Sequence, residues 1–256
     1  MLSKKQVSLI VSLQRKKSRD EEKLFVIEGD KIVKEFLESG VKVVTLIAKP
    51  EFIGGLSLEL LASAGEVIPV NYEELKRVST LKTPHNAMAV VRIPETTPDQ
   101  EMILNDLCVA LDFIQDPGNL GTIIRAAAWF GIKNIVCSDN CVDLYNPKVI
   151  QASMGAILNV AVSYCDLTEF LGKAKEKRVP VYGAMLEGES IYSKDLGKKG
   201  VILLGNESKG ISDELIAFVT ERVVIPKFTT ALYGIESLNV GMAASILFSE
   251  FARRSY

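Results

Sequence analysis

The chain has 256 residues, enough for one large domain or two modest ones, and 48% are hydrophobic and 24% charged, which fits a soluble globular protein with a substantial core. No segment approaches the roughly 18 consecutive apolar residues of a membrane span, and no apolar run of a signal peptide follows Lys4 and Lys5, so a cytoplasmic protein is expected. The net charge of −2 hides a segregation: residues 1–19 carry six basic side chains (Lys4, Lys5, Arg15, Lys16, Lys17, Arg19) and no acidic one, leaving 24 basic against 32 acidic in the remainder.

Hydrophobic periodicity predicts a helix over 3–15, a strand at 23–27 (KLFVI), a helix at 30–39 and a strand at 43–48 (VVTLIA). A helix near 57–63, a strand at 67–70, a helix at 72–78 and a strand at 87–93 complete a small α/β module. VRIPETTPDQEM (91–102) has the prolines and polar residues of a linker, which places a boundary near 94–105 and two domains at 1–98 and 99–256. Beyond it come a strand at 107–114, a helix at 120–130, a strand at 134–138, a helix near 147–157, the strand VAVSY and a helix at 168–177. Strands at 179–185, 201–205 and 223–226, a short helix at 212–219 capped by Ser212, and a last helix at 238–253 follow. Short apolar strands between helices imply an α/β fold with a mostly parallel sheet covered by helices on both faces.

Cys137 and Cys141 form a C-x3-C, but no second cysteine pair or histidine cluster follows, so reduced thiols are expected in place of a zinc site. The single histidine, His85, reads as a turn residue in TPHN. The basic segment at 15–19 suggests an anionic partner such as RNA, with a solvated helix face as the alternative.

Open parallel sheets bind ligands at the carboxyl ends of their strands. Three such ends carry unusual chemistry: QDPGNLGTIIR, LLGNESKGIS and IPKFTTALYGIESLNVGMAA. GNLGTI lacks the glycine spacing of a dinucleotide fingerprint, and GNESKG has Ile211 and Ser212 where a P-loop needs Lys and Ser/Thr. A nicotinamide-dependent oxidoreductase is therefore disfavoured.

The combination of Asn119 and Arg125 in NLGTIIRA, Gly205 and Glu207 in LGNESKG, and Ser237 and Asn239 in SLNVGMA resembles the three motifs of the SpoU/TrmH class of SPOUT methyltransferases, in that family's order. QASMGAILNVAV (151–162) is similar to the family's segment between the first two motifs, and residues 17–37 resemble, more loosely, the small substrate-binding module that precedes many such domains. The resemblance implies 2′-O-ribose methylation of RNA with S-adenosylmethionine. It also implies a C-terminal trefoil knot and a homodimer, with structured RNA as partner, ribosomal in preference to transfer RNA, and no metal. The competing reading is a catalytically inactive RNA-binding protein of the same fold.

On that resemblance the catalytic residues are Asn119, Arg125, Glu207, Ser237 and Asn239, and Leu204, Gly205, Asn206, Gly210, Ile225, Pro226 and Leu238 line the cofactor, mainly through main-chain groups. Arg15, Lys16, Lys17 and Arg19 would meet RNA phosphates, which position RNA without specifying it. The leaving thioether is neutral, so the chemical difficulty lies in the 2′-hydroxyl, which must lose its proton as it attacks. The family gives the arginine matching Arg125 a catalytic role, sometimes as base. Arginine keeps its charge in proteins, so a grip on a phosphate and on the developing alkoxide is the better physical reading. Asn119 and Ser237 also read as caps of the helices that follow them. Two departures stand out: a long loop from Lys227 to Glu236, and Gln151 where a basic residue is expected.

Overall fold

The computed structural model describes residues 1–95, 99–228 and 237–254. In chain order, α1 (Lys4–Ser12) and α2 (Lys16–Glu22) lead to β1 (Leu24–Glu28), α3 (Asp30–Glu38), β2 (Val43–Ala48), α4 (Pro50–Gly54) and α5 (Leu58–Ser63). Then come β3 (Glu66–Pro69), α6 (Tyr72–Val78), β4 (Ala87–Arg92), α7 (Gln100–Ile103), β5 (Leu107–Leu111), α8 (Pro117–Trp129), β6 (Asn134–Cys137) and α9 (Pro147–Ser153). The chain ends with β7 (Ala161–Tyr164), α10 (Leu167–Glu176), β8 (Val181–Ser190), β9 (Gly200–Leu204), α11 (Asp213–Ile216), β10 (Glu221–Val224) and α12 (Val240–Arg253). No helix among the described residues is long and apolar enough to cross a membrane.

The chain divides into two compact units, Met1–Thr96 with Asp143–Leu158, and Thr97–Val142 with Asn159–Tyr256. The first holds a four-stranded sheet in the order β1-β4-β2-β3, antiparallel except for the β2–β3 pair. Alternation along its strands sorts two cores. Phe25, Ile27, Ala87, Ala89 and Val91 face Ile32, Val33, Phe36 and Leu37 of α3, and Ile150 of α9 joins them. Leu24, Met88 and Val90 face Ile10 of α1, Leu13, and Leu75 and Val78 of α6.

The second unit holds a six-stranded sheet in the order β10-β8-β9-β5-β6-β7, parallel throughout. Its central strands β5 and β9 are buried along almost their whole length, because helices cover both faces. Cys108, Ala110, Val136, Val181, Val201 and Leu203 pack against Leu167, Phe170, Leu171 and Ala174 of α10 and Leu215 of α11. Tyr182, one residue on from Val181, points the other way and meets the ring of Phe251 in α12 edge-on, with centroids 5.0 Å apart. Parallel pairing puts the carboxyl ends of β5 and β9 in register, Leu111 opposite Leu204, so the loops after them open on the same edge.

Several expected boundaries differ. The helix expected over 3–15 is two helices: Ser3 and Gln6 form a capping box for α1, and the chain turns after Leu13. Arg19 Nη1 then donates to the Leu13 carbonyl at 2.8 Å, satisfying a group the broken helix leaves over. The helix expected over 147–157 stops at Ser153, because Met154 (φ 48°) and Gly155 (φ 85°) turn left-handed before a 3-10 turn at 156–158. The helix expected at 212–219 is shorter, and Ser212 starts it without a side-chain cap bond. Within the expected 91–102 linker, residues 96–98 lie outside the described residues, and so do 229–236 of the long loop.

Candidate active site

The helix α8 follows from its sequence. Asp116 caps it by accepting the Asn119 amide at 2.8 Å, and Pro117 occupies the first position, where no amide is needed. Leu120, Ile123, Ile124 and Ala127 make the buried stripe, and Gly131 (φ 76°) ends the helix left-handed. Asn119 therefore sits in the first turn and is not the cap that its place after Pro117-Gly118 suggested. α12 meets α8 closely: a Cβ added to Gly241 would lie 3.1 Å from Thr122 Cγ2. That approach brings the amino-terminal ends of the two helices together.

At this junction Asn239 caps α12, its Oδ1 accepting the amides of Gly241 (3.0 Å) and Met242 (3.2 Å). The expected cap, Ser237, lies exposed two residues earlier. The Asn239 amide nitrogen donates to Asn119 Oδ1 at 2.8 Å, and the Asn119 amide nitrogen donates to Glu207 Oε1. One residue from each of the three motifs thus forms a continuous hydrogen-bonded chain. The Glu207 carboxylate ends it beside the amino terminus of α8, where the helix dipole favours negative charge.

The loop carrying Glu207 closes on itself. Asn206 and Gly210 exchange main-chain hydrogen bonds at 3.0 and 2.8 Å, and Asn206 Oδ1 accepts the amides of Ser208 and Lys209. A Cβ on Gly205 would lie 2.2 Å from the Gly210 carbonyl carbon, so glycine there admits the loop's own return strand; Gly210 takes φ 72°. Asn206 Nδ2 also donates at 3.0 Å to the carbonyl of Phe113, tying this loop to the one after β5. The Leu204 carbonyl accepts the Asp112 amide at 2.9 Å. Ile225 and Pro226 are half-buried just past β10, and Leu238 is 41% exposed before α12.

Arg125 lies further along α8. It is exposed on the face of α8 that it shares with Gly118 and Thr122, about 9 Å along the axis from Asn119 at 1.5 Å per residue. Arg15, Lys16 and Lys17 are exposed, Lys16 paired with Asp20 at 2.7 Å. Arg19 corrects the expectation of a phosphate contact. It is 2% exposed, and its Nε donates to Asp143 Oδ2 at 3.0 Å with Nη2 on the same oxygen, so it serves the interior of the first unit.

Three supporting residues escaped sequence reasoning. Phe113 adopts φ 59°, a conformation costly for a bulky residue and often found beside functional sites. Its amide donates to Ser138 Oγ at 3.0 Å, and Lys209 Nζ stands 5.3 Å over its ring. Buried Asp112 accepts the Ser212 amide at 2.8 Å, and a carboxylate ending an apolar strand was its visible signal. Cys141 Sγ accepts the Ile114 amide at 3.2 Å beneath the same loop. A hydrogen bond from Cys137 brings its thiol down to about 7 despite burial, helped by Ser138 and the Ile114 amide.

Comparison with known proteins bears on this arrangement. The model of the SpoU rRNA Methylase family matches residues 106–249, and that of an MRM3-like substrate binding domain matches residues 4–89. A 23S rRNA (guanosine(2553)-2′-O)-methyltransferase, RlmP of Bacillus subtilis, is 30% identical over 236 residues, covering 92% of this chain and 91% of its own. A structure described as an RNA methyltransferase of the TrmH family from Porphyromonas gingivalis superposes with a TM-score of 0.89 at 36% identity, over 99% of both chains. An AdoMet-bound rRNA methyltransferase from Sinorhizobium meliloti superposes with a TM-score of 0.85 at 28% identity, over 100% of this chain and 97% of that one.

Proposed function

This chain belongs to the SpoU rRNA methylase family, and from that premise we propose that it transfers a methyl group from S-adenosylmethionine to a ribose 2′-hydroxyl of ribosomal RNA in the cytoplasm. The observation that carries the proposal is the hydrogen-bonded chain Asn239–Asn119–Glu207, which links the three motifs at one edge of the parallel sheet.

S-adenosylmethionine, when bound, supplies a methyl group on a sulfonium whose thioether leaves without assistance. Main-chain groups of Leu204, Gly205, Asn206 and Gly210 would hold it, and Ile225, Pro226 and Leu238 would supply the apolar lining. Arg125 grips a phosphate next to the target ribose and stabilises the oxygen as its proton passes to solvent water. Glu207, held by Asn119, fixes the loop at the joined helix ends, and Asn119 and Asn239 hold the two helix starts in register. Ser237, exposed ahead of the cap, contacts the ribose. Positioning supplies part of the barrier reduction and charge stabilisation the rest.

Residues 1–98, with the segment 143–158 that folds with them, act as the substrate-binding domain, with Arg15, Lys16 and Lys17 on RNA phosphates, and the rest of 99–256 as the catalytic domain carrying the family's trefoil knot. The working form is a homodimer, which would cover Met242, exposed at 58%. The test is mapping of ribose methylation in ribosomal RNA from cells with and without the gene, together with titration of S-adenosylmethionine into the pure protein. A single alkali-resistant position lost with the gene is the expected result. Unchanged maps and no cofactor binding would defeat the proposal, whereas RNA binding without cofactor binding would mark an inactive relative.

A further inference from the structure

We propose that Trp129 is a stacking platform for an unpaired base of the RNA substrate, adjoining the nucleotide that Arg125 grips. The inference rests on the methyltransferase reading above and specifies how that site holds its substrate.

Trp129 closes α8 and is 84% exposed. The helix spends Leu120, Ile123, Ile124 and Ala127 on the core, so the indole is not needed there. It lies four residues beyond Arg125, which makes the two side chains neighbours on the helix surface, about 6 Å apart along the axis. That separation suits a nucleotide whose phosphate or ribose meets the guanidinium while an adjoining base lies on the ring.

The surroundings favour a polyanion. Exposed Arg125 precedes the indole and exposed Lys133 follows it, four residues away on either side. No acidic residue occurs between Asp116 and Asp139, although the chain beyond residue 19 carries more acid than base. An exposed aromatic face with a cation one helical turn away is a combination with which proteins hold splayed single-stranded bases; every base has a π face, so such stacking tolerates sequence. A second copy of this chain could also cover the indole, and the experiment separates the two.

Trp129 is the only tryptophan, so intrinsic emission reports on this position alone. The wild type is titrated with a short single-stranded oligoribonucleotide of mixed sequence, with the same strand in a duplex, and with heparin, a polyanion without bases. The single strand should quench the emission, and the duplex and heparin should not. By anisotropy of labelled RNA, Trp129→Ala should weaken single-strand binding by about tenfold and Trp129→Phe by less. Both variants should bind S-adenosylmethionine as the wild type does. Equal RNA affinity in Trp129→Ala and wild type overturns the proposal. So does a blue-shifted emission insensitive to RNA, with Trp129→Ala converting a dimer to monomer, which assigns the indole to a subunit interface. A wild type that shows base-dependent quenching but binds no S-adenosylmethionine defeats the methyltransferase reading and leaves the stacking in place.

Discussion

Asn239 and Asn119, 120 residues apart in the chain, are joined by one hydrogen bond of 2.8 Å from the amide nitrogen of the first to the carbonyl oxygen of the second. Because Asn239 also caps α12 and Asn119 also holds Glu207, the position of each helix start is tied to the other and to the loop after β9.

Asn119→Asp should lower methyl transfer more than Asn119→Ala. The alanine variant loses both the bond to the Glu207 carboxylate and the one from Asn239; the carboxylate bond alone is worth about 1.5–3 kcal/mol, or roughly 10- to 100-fold in rate if it is felt in the transition state. The aspartate adds a like charge against Glu207. Single-turnover rates with labelled S-adenosylmethionine read the order; equal rates in both variants and wild type would remove Asn119 from the machinery.

Arg125→Lys should keep measurable activity, and Arg125→Gln should lose about 100-fold or more, because a point charge replaces part of the guanidinium's grip and an amide replaces none of it. Cofactor affinity should hold in both. Equal, near-complete loss in both variants would count against the electrostatic role.

The basic residues at 15–19 should separate into two classes. Arg19→Ala leaves Asp143 without its cation in the interior and should lower stability by about 3–5 kcal/mol, read as a fall in the urea midpoint. Alanine at Arg15, Lys16 or Lys17 should change stability by no more than about 0.5 kcal/mol and flatten the salt dependence of RNA binding by roughly one unit of slope for each phosphate no longer neutralised.

Gly205→Ala and Gly210→Ala should both loosen the loop, for different reasons. At 205 the new methyl collides with the returning Gly210–Ile211 backbone and forces a shift of about 1–3 kcal/mol. At 210 the space is open but φ 72° is left-handed, a strain of about 1–2 kcal/mol. Gly210→Asn should therefore be milder than Gly210→Ala, and Gly205→Asn harsher than Gly205→Ala, in both melting temperature and cofactor affinity.

Glu250 in α12 bonds Arg253 at 2.6 and 2.9 Å and Arg254 at 2.9 Å, and these cations hold its carboxyl down at about 2, against an ordinary 4.5. A depressed carboxyl stabilises the fold above its unfolded value and loses that stabilisation as pH falls. The melting-temperature gap between wild type and Glu250→Gln should be full above about pH 4.5 and close by about pH 2. A gap independent of pH would show that the ion pairs contribute nothing to folding.

The second unit was legible because its strands are short apolar runs and its motifs sit at their carboxyl ends. Val109, Ala110 and Leu111 are buried on both faces, as the run LCVAL implied. What sequence could not supply were facts that need a distant partner. Arg19 reads as one of four clustered cations until Asp143 is placed beside it, 124 residues away. Asn119 and Ser237 each look like caps, and the residues that cap, Asp116 and Asn239, are settled by where each helix meets its neighbour. Phe113 in a left-handed turn has no local signal, since phenylalanine is a poor residue for that conformation.

The excursion of residues 143–158 into the first unit sets a limit on how this protein can be dissected. Tyr145 stacks on Phe25 with ring centroids 4.6 Å apart, and Ile150 fills the core under α3, so the carboxyl-terminal portion of the gene encodes part of the amino-terminal fold. A fragment beginning at residue 99 would expose those side chains to water, and a fragment ending at 98 would be missing them. Expressing the halves separately would yield two damaged proteins, while co-expressing them offers a direct route to reassembly.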